Sequence, residues 1–456
     1  MASRLLLLSL CVLLNAVFAG EDWPAAVTHG PWLSHPGPER MTVGFMATRG
    51  CGGGVAYRER GAETWREAWH TVSGQLCKLT EEHILHLSGL KPDTEYEYRL
   101  LLCGPSPVGH LQALNYAVTA TPEAYRARHV ISIEDKEFHF RTLPADAAEF
   151  TFALTSDLQR LEPKAKAALL ADFAQKGGAA ESRFVVLLGD LEDNLRIFDL
   201  NYTQSVIDVL PSLGGAHTPV VLARGNHEWR GVEAPRWSDF FASPVTREPY
   251  FAFRCGEALF VVLDSGEDRP CVPFSYDFTG INVAEESFFK AQGDWLEGLL
   301  QSAEWKRAKY RIVLCHGAIF SHEERHMTET IAAITRGHFT RSHPENRIHL
   351  WLAGHTHNYC RTIPRSRDLY WLEDRGKAAF AGDAYDFTVV TNDGPGNGGV
   401  DYSLLLVTVA PEGLTLQAKD REGNLLDAFR VAPDGAVTDL NNDTLPARKS
   451  PGNWVK

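Results

Sequence analysis

The sequence predicts a layered α/β domain that is preceded by a small all-β sandwich. After about residue 147, continuous apolar runs that end in polar clusters alternate with helical stretches, which is typical of α/β layers. Before residue 143, short segments rich in β-branched and aromatic residues are separated by Gly, Pro and Asp, which is typical of an all-β sandwich. The composition agrees with a globular protein, since 44% of the residues are hydrophobic and 23% are charged.

The segment 1–19 is predicted to be a cleaved secretory signal. A short apolar run follows Arg4, and Val17 and Ala19 are small residues at the spacing that signal peptidase recognises. The run is shorter than the ~18 to 20 residues that span a bilayer. We therefore expect a secreted or periplasmic protein with no stable membrane anchor; the alternative is an uncleaved anchor.

One of the eight cysteines lies in this signal, which leaves an odd number and at least one unpaired thiol. A bridge between Cys255 and Cys271 is the first that we expect, followed by one pair among Cys51, Cys77 and Cys103. Spacing alone does not determine the connectivity.

The all-β sandwich is predicted over 23–143. Within it, a turn at Lys91-Pro92-Asp93 precedes a strand in which Tyr96 and Tyr98 alternate with charged residues. This segment resembles the fibronectin type III sandwich, in which a tyrosine follows such a turn. The alternative is an unrelated β-meander.

The α/β domain is predicted over 148–432, and a polar tail over 433–456. Apolar runs without alternation are typical of strands buried on both faces. Further strand-like segments at 400–420 and 425–432 are expected to be antiparallel edge strands. The predicted buried strands with their polar ends span 150–157, 183–190, 219–228, 258–266, 310–317 and 348–357, and the clearest helices span 162–176 and 285–303.

Polar side chains follow five of these strands. Because the carboxyl ends of strands in an open α/β sheet hold its ligands, we expect these side chains to lie together. Each cluster alone is weak evidence, since a single strand-end His is usually structural, but five clusters of metal-ligand residues favour a metal centre. The clusters are Asp157 with Gln159, Asp190 with Asp193, Asn226-His227-Glu228, Cys315-His316, and His355 with His357.

The net charge of −13 disfavours nucleic acid as a partner. A small phosphorylated substrate would need a local positive site, which two bound divalent ions would provide.

The order D-x-[HQ], GDxxD, GNHE, a strand ending in His, and GHxH resembles the calcineurin-like metallophosphoesterases over 150–360. With the β-sandwich in front, the arrangement is similar to the purple acid phosphatase branch. The resemblance implies a β-sandwich core flanked by helices in αββα layers, and a secreted enzyme that hydrolyses phosphate esters with two metal ions.

The resemblance also implies a role for each residue. Asp190 would bridge the two ions, and a hydroxide between them would attack phosphorus. His227 would act as general acid on the leaving group, oriented by Asp193, and Arg325 and His326 would contact the substrate. One ion would be held by Asp157, Asp190, His357 and Gln159, and the other by Asp190, Asn226, His316 and His355.

Two positions depart from the purple acid phosphatase pattern. Asp193 stands where that branch has a tyrosine, which predicts a colourless protein; the alternative role for Asp193 is a helix N-cap. Gln159 stands where the wider superfamily most often has His. An amide oxygen is a hard, neutral ligand, so the ions are expected to be Mn, Fe or Zn, with Mn or Fe favoured at the Asp157/Gln159 site. Alternatively, Gln159 does not bind a metal.

The predicted function is therefore phosphoesterase, with phosphomonoesters favoured. Phosphodiesterase or nucleotide pyrophosphatase activity at the same site is an alternative, because substrate choice lies in loops that motifs do not define. A non-catalytic protein that recognises a partner through its β-sandwich is the other alternative. The sequence leaves the oligomeric state open.

Overall fold

The computed structural model describes most of the chain in two compact units. The first comprises residues up to Pro31, Val43–Leu87 and Glu95–His139, and the second comprises Trp32–Thr42, Ser88–Thr94 and the residues from Phe140 onward. The predicted signal and most of the predicted tail lie outside the described residues. The described residues are 25–77, 80–104, 123, 126, 130–146, 149–269, 285–319, 325–366, 369–371, 382–392, 394 and 403–441.

The first unit contains β-strands, as its composition predicts. Strands β1, β2 and β7 lie side by side in that order, and β4, β3, β8 and β9 form a second, four-stranded group. Tyr96 and Tyr98 of β8 are both buried, while their neighbours are partly exposed. The fibronectin type III assignment stays a prediction. The strands are β1 (Val27–Ser34), β2 (Arg40–Ala47), β3 (Gly52–Glu59), β4 (Arg66–Trp69), β5 (Thr71–Val72), β6 (Gln75–Leu76), β7 (Glu82–Ser88), β8 (Glu95–Cys103) and β9 (Val130–Arg141).

The second unit alternates strands and helices. Its helices are α1 (Pro163–Asp172), α2 (Trp237–Phe241), α3 (Glu285–Gln301), α4 (Ala303–Arg307) and α5 (Arg325–Thr335). Its strands are β10 (Phe150–Thr155), β11 (Val185–Leu188), β12 (Val220–Ala223), β13 (Phe251–Cys255), β14 (Ala258–Leu263), β15 (Tyr310–Cys315), β16 (Leu350–Ala353), β17 (Cys360–Thr362), β18 (Leu369–Trp371), β19 (Thr388–Thr391), β20 (Leu404–Ala410), β21 (Gly413–Lys419), β22 (Leu425–Val431) and β23 (Val437–Asp439).

These strands form two sheets. In the first, β10, β11 and β12 pair in parallel, and β20 to β23 extend it from β10 as antiparallel strands. In the second, β14, β15, β16 and β19 pair in parallel in that order. Parallel strands end at the same edge of a sheet, so each sheet brings several strand ends together.

An aromatic cluster fills the space between the two sheets. The rings of Phe152 and Phe184 stack with 5.2 Å between centroids, and Phe260 of the second sheet meets both edge-on. Outside the sheets, Gly177 at the end of the π-helical turn that follows α1 lies against Leu404 of β20. Residues of α3, α4 and α5 pack on the outer face of the second sheet. The predicted α/β layers, with helices outside two packed sheets, are confirmed.

The structure differs from the sequence predictions in two local features. Cys103 is a buried thiol and Cys77 a partly exposed one, so no pair among Cys51, Cys77 and Cys103 is bridged. Cys255 on β13 is buried, and the predicted bridge to Cys271 lies outside the described residues. In addition, β23 lies within the segment assigned to the tail. It pairs with β22, because Val437 packs against the core of the second unit.

No helix among the described residues is long and apolar enough to cross a membrane.

Protonation of His349 should destabilise the fold at low pH. This side chain is 2% exposed, accepts from the backbone N–H of Arg311 at 3.2 Å and donates to the carbonyl of Pro433 at 3.1 Å, so it is held in the neutral form. Burial lowers the pKa of His349 to about 4, against 6.5 for an ordinary histidine. The unfolded chain therefore binds an extra proton between these values, and stability is lost as the pH falls from 6.5 to 4, by up to ~3 kcal/mol.

We expect His349→Gln to reduce this dependence of the free energy of unfolding on pH, measured by urea denaturation of chelator-treated protein between pH 7.5 and 4.5. His343→Gln, at an exposed histidine, is the control and should keep the wild-type slope. An unchanged slope in the His349 variant would contradict the assignment.

Candidate metal centre

The polar side chains that follow the parallel strands converge, although they come from both sheets. Asp157, Asp190 and Asn226 follow β10, β11 and β12 of the first sheet, and His316 and His355 follow β15 and β16 of the second. All but His355 are almost completely buried. The carboxyl ends of the two sheets therefore build one site.

The backbone at this site turns sharply. Asp157, Asp190, His355 and His357 have φ values of 60°, 53°, 71° and 51°, in the left-handed region that side chains rarely adopt. Gly225 lies so close to the site that a Cβ atom there would be 2.2 Å from Oδ1 of Asp190. Such strain is typical of functional sites, where surrounding contacts hold the backbone in place.

One half of the site is formed by Asp157, Asp190 and His357, whose ligand atoms all lie within 4.8 Å of one another. Nε2 of His357 is 3.4 Å from Oδ1 of Asp157. The Gln159 amide joins this group, because its Nε2 atom is 3.2 Å from Nε2 of His357 and 3.3 Å from Oδ2 of Asp190.

The other half is formed by Asp190, His316 and His355, whose ligand atoms also lie within 4.8 Å of one another. Nε2 of His316 is 3.2 Å from Oδ2 of Asp190. The inward atom of the Asn226 amide lies 3.1 Å from Nε2 of His316 and 3.0 Å from Nδ1 of His355. Asp190 therefore belongs to both halves, in the position predicted for a bridging carboxylate.

Hydrogen bonds to the backbone orient these ligand atoms. Nδ1 of His316 donates to the carbonyl of Leu188 at 2.8 Å, so Nε2 is the nitrogen that faces the site and can lose its proton. Both carboxylate oxygens of Asp157 accept from the backbone N–H of His355, at 2.9 and 3.1 Å.

The charges explain the protonation of the metal-free site. Burial alone raises the pKa of the Asp190 carboxyl, but His316 and His227 outweigh burial and hold that pKa well below its usual range. For His316, burial lowers the pKa, but the carboxylates of Asp190 and Asp157 outweigh it and raise the pKa to about 10. A proton on His316 thus balances buried negative charge where a cation would otherwise do so.

The donor set fits metal ions. If Oδ1 of Asn226 faces inward while the nitrogens of His316 and His355 beside it are unprotonated, it meets only acceptors; with the amide turned, the nitrogen faces inward and the oxygen accepts from Arg230 at 2.8 Å. A cation would stabilise the inward oxygen. In the other half, Oε1 of Gln159 and Nδ1 of His357 are buried without a hydrogen-bond partner among the described residues. Carboxylate, amide and imidazole ligands suit Mn, Fe or Zn.

Glu228 has a role that sequence reasoning missed. This carboxylate is completely buried and accepts from the backbone N–H groups of Gly225, Asp190 and Leu191 at 2.8, 2.9 and 2.7 Å. It therefore joins the loops after β11 and β12 and fixes the backbone of the shared ligand Asp190. Its position directly after His227 in the GNHE motif was the only signal in the sequence.

His227 lies beside the shared carboxylate, with its Nε2 atom 3.8 Å from Oδ2 of Asp190. Its Nδ1 atom donates to the carbonyl of Asp193 at 2.7 Å and lies 3.3 Å from the Asp193 carboxylate. Burial lowers the pKa of His227, but Asp190 and Asp193 outweigh it and raise the pKa to about 9. Asp193 thus contacts His227, in the place predicted for an orienting residue.

Of the two predicted substrate contacts, the structure describes the side chain of His326 only. His326 lies in the first turn of α5, where its Nε2 atom is 3.4 Å from Glu285. Arg325 begins that helix, and its side chain lies outside the described part of the chain. Among the described side chains, the guanidinium of Arg230 lies next to His227, a contact that sequence reasoning missed.

Residues 150–359, which carry all these ligands, match the family model of the calcineurin-like phosphoesterases. The chain contains a calcineurin-like phosphoesterase domain. The match to this domain, together with the Asp and His side chains that could hold metal ions, supports a metal-dependent phosphoric ester hydrolase. A search of curated proteins found no match.

Solved structures share the fold of this phosphoesterase. Purple acid phosphatase PPD1 from seeds of yellow lupin (Lupinus luteus) is 15% identical with a TM-score of 0.58, over 88% of this chain and 74% of that one. A structure described as PhoD is 13% identical with a TM-score of 0.59, over 94% of this chain and 95% of that one. At sequence identities this low, the similarity shows the fold alone.

The sharing of Asp190 predicts how metal content responds to substitution. After chelation and re-equilibration with Mn²⁺, the wild-type chain should hold about two ions, as binuclear sites do. Asp190→Asn should lose both, whereas His357→Ala and His316→Ala should each keep about one, because each removes a ligand of one half only. Elemental analysis after gel filtration measures the ratio.

The exposed His343→Ala serves as the control and should keep both ions. Two tightly held ions in Asp190→Asn would contradict a shared ligand.

Proposed function

We propose that the chain is a secreted phosphomonoesterase in which His227 protonates the leaving group. One observation carries the proposal: His227, the residue with a donor directed into the site, lies beside Asp190, the carboxylate that both halves share. The proposed secretion rests on the predicted signal over 1–19, which lies outside the described residues.

Two metal ions would be held by the two halves of the site, with Asp190 common to both. When bound, such ions draw electron density from phosphoryl oxygens and make a water nucleophilic near neutral pH. The side chains of the protein hold these ions and donate the proton to the leaving group.

The protein groups supply the proton for the leaving group. Nδ1–H of His227 donates a hydrogen bond to the Asp193 carbonyl, so Nε2 is the atom that carries the transferable proton. As the P–O bond of the ester breaks, this proton passes to the departing oxygen. General acid catalysis of this kind typically contributes about 10²- to 10⁴-fold.

The preference for monoesters rests on the resemblance to purple acid phosphatases and on the fold shared with one of them. The test uses chelator-treated protein that is re-supplied separately with Mn²⁺, Zn²⁺, Fe²⁺ and Mg²⁺. Hydrolysis of an aryl phosphate monoester should exceed that of the matching diester. Mn²⁺ or Fe²⁺ should be more effective than Zn²⁺, because an amide such as Gln159 binds a metal through its oxygen, which here requires the amide to turn so that Oε1 replaces Nε2 beside Asp190 and His357. Faster hydrolysis of the diester would replace the monoester proposal.

Substitution at His227 should separate catalysis from metal binding. His227→Ala should lower kcat for an alkyl phosphate by about 10²-fold or more, with both ions retained, since this side chain donates a proton and holds no metal. Loss of metal in this variant would mean that His227 is a ligand.

Asp193→Asn should shift the pH profile. The Asp193 carboxylate raises the pKa of His227, so its removal lowers that pKa. A general acid must be protonated, and activity is lost as the pH rises through its pKa. The alkaline limb of kcat should therefore move to lower pH in the variant. An unchanged limb would exclude this pair as the acid.

A further inference from the structure

A further strand end of the second sheet reaches the metal centre. β19 pairs in parallel with β16, so the residues that follow these two strands lie at the same edge of the sheet. Asn392 directly follows β19 and is 0% exposed, and its backbone N–H donates to the carbonyl of Ala353 at 2.7 Å. No motif in the sequence indicated this asparagine, because it belongs to none of the five clusters that follow predicted strands.

A series of hydrogen bonds links Asn392 to the metal-binding carboxylate of Asp157. The hydroxyl of Ser403 donates to Oδ1 of Asn392 at 2.8 Å, and Nδ2 of Asn392 donates to Oγ of Ser156 at 3.2 Å. The Ser156 hydroxyl in turn donates to Oδ2 of Asp157. All four residues are at most 1% exposed, so these hydrogen bonds form in a buried environment, where they are stronger than in water.

Each bond in this series fixes the direction of the next. Because Oδ1 of Asn392 accepts from Ser403, the donor Nδ2 is the atom that faces Ser156. A serine hydroxyl has a single proton. Since the oxygen of Ser156 accepts from the amide, that proton is directed to Oδ2 of Asp157. The carboxylate therefore receives a donor whose orientation is set by residues outside the metal centre.

The other oxygen of Asp157 is the one that faces the histidines. Oδ1 lies 3.4 Å from Nε2 of His357 and 3.9 Å from Nε2 of His316. On the side of Oδ2 the backbone passes very close, since a Cβ atom on Gly354 would be 2.5 Å from Oδ2 and 2.6 Å from Oγ of Ser156. A carboxylate can bind a cation through one oxygen or through both. Here the hydrogen bond from Ser156 occupies the second oxygen.

We propose that Asn392 is a positioning residue of the metal centre. It acts through Ser156 to hold Oδ2 of Asp157, so that Asp157 binds its ion through Oδ1 alone. Without the hydrogen bond from Ser156, the carboxylate is free to rotate, and its orientation must be restricted again when an ion binds. Partners that orient metal ligands in this way typically contribute about 10- to 100-fold to metal affinity. The proposal rests on the metal ions of the function proposed above and on no particular substrate.

Titration of chelator-treated protein with Mn²⁺, followed by calorimetry, tests the proposal. Asn392→Ala and Ser156→Ala should each weaken the binding of one ion by ~10-fold or more and leave the other ion nearly unchanged, because only the half that contains Asp157 is affected. Ser243→Ala is the control at another buried serine, whose Oγ accepts from the backbone N–H of Val245, and should leave both affinities unchanged. Equal weakening of both ions, or of neither, would overturn the proposal.

Combined substitutions distinguish a positioning role from a general loss of packing. If Asn392 acts only through Ser156, the variant with both substitutions should bind the ion no more weakly than Ser156→Ala alone. Adding Asn392→Ala to His357→Ala, which is expected to keep only the ion of the other half, should not change the affinity for that ion. Losses that multiply in the first combination would mean that Asn392 acts independently of Ser156, and the proposal would be wrong.

Thermal unfolding of the metal-free proteins shows whether each variant folds. If Asn392→Ala does not fold, Ser403→Ala replaces it, because this change removes the donor that orients the amide and keeps Asn392 itself. It should weaken the same ion, and an affinity equal to that of the wild type would then contradict the proposal. None of these measurements uses a substrate. A chain that binds its ions as expected but hydrolyses no phosphate ester would therefore refute the proposed function and leave the role of Asn392 intact.

Discussion

Two buried carboxylates dominate the metal centre, and no lysine or arginine of the described residues is bonded to either. Asp157 and Asp190 are 0% and 1% exposed. Asp190 lies within 4.8 Å of His357, and Oδ1 of Asp157 is 3.9 Å from Nε2 of His316. A buried charge without a partner is expensive, so the surrounding groups must be cationic or must be hydrogen-bond donors. The imidazoles of His316 and His357, the backbone N–H of His355 and, when present, metal ions meet this need.

Glu228 meets the same constraint through hydrogen bonds from the backbone. Both oxygens of this buried carboxylate accept hydrogen bonds from backbone N–H groups of the loops after β11 and β12. Burial and the nearby Asp190 raise the pKa of the Glu228 carboxyl, and the hydrogen bonds from backbone N–H groups oppose that rise. The site therefore contains one acidic residue that holds the backbone, beside two whose oxygens stay available to a ligand, and burial alone does not distinguish them.

Much of the centre could be predicted because its residues follow buried strands, and strand ends are visible as breaks in apolar runs. Asp157, Asp190, Asn226, His316 and His355 were found in this way, and the fold brings them together. The partners of Glu228 and Arg230 could not be predicted, because they depend on which loops face each other. The strand order within each sheet, and the addition of β23, likewise depend on pairings between distant segments. His326 was predicted as a substrate contact from the resemblance to acid phosphatases, and this role stays a prediction; the structure places its side chain beside Glu285.

The left-handed backbone at Asp157, Asp190, His355 and His357 has an evolutionary consequence. Each such residue destabilises the fold by about 1 to 2 kcal/mol relative to a residue suited to that conformation. Glycine would remove this strain at each position and with it the side chain that makes the site. A library of variants sorted only for thermal resistance should therefore accumulate glycine at these four positions, so the heat-tolerant survivors of such a selection would be inert proteins with an intact fold.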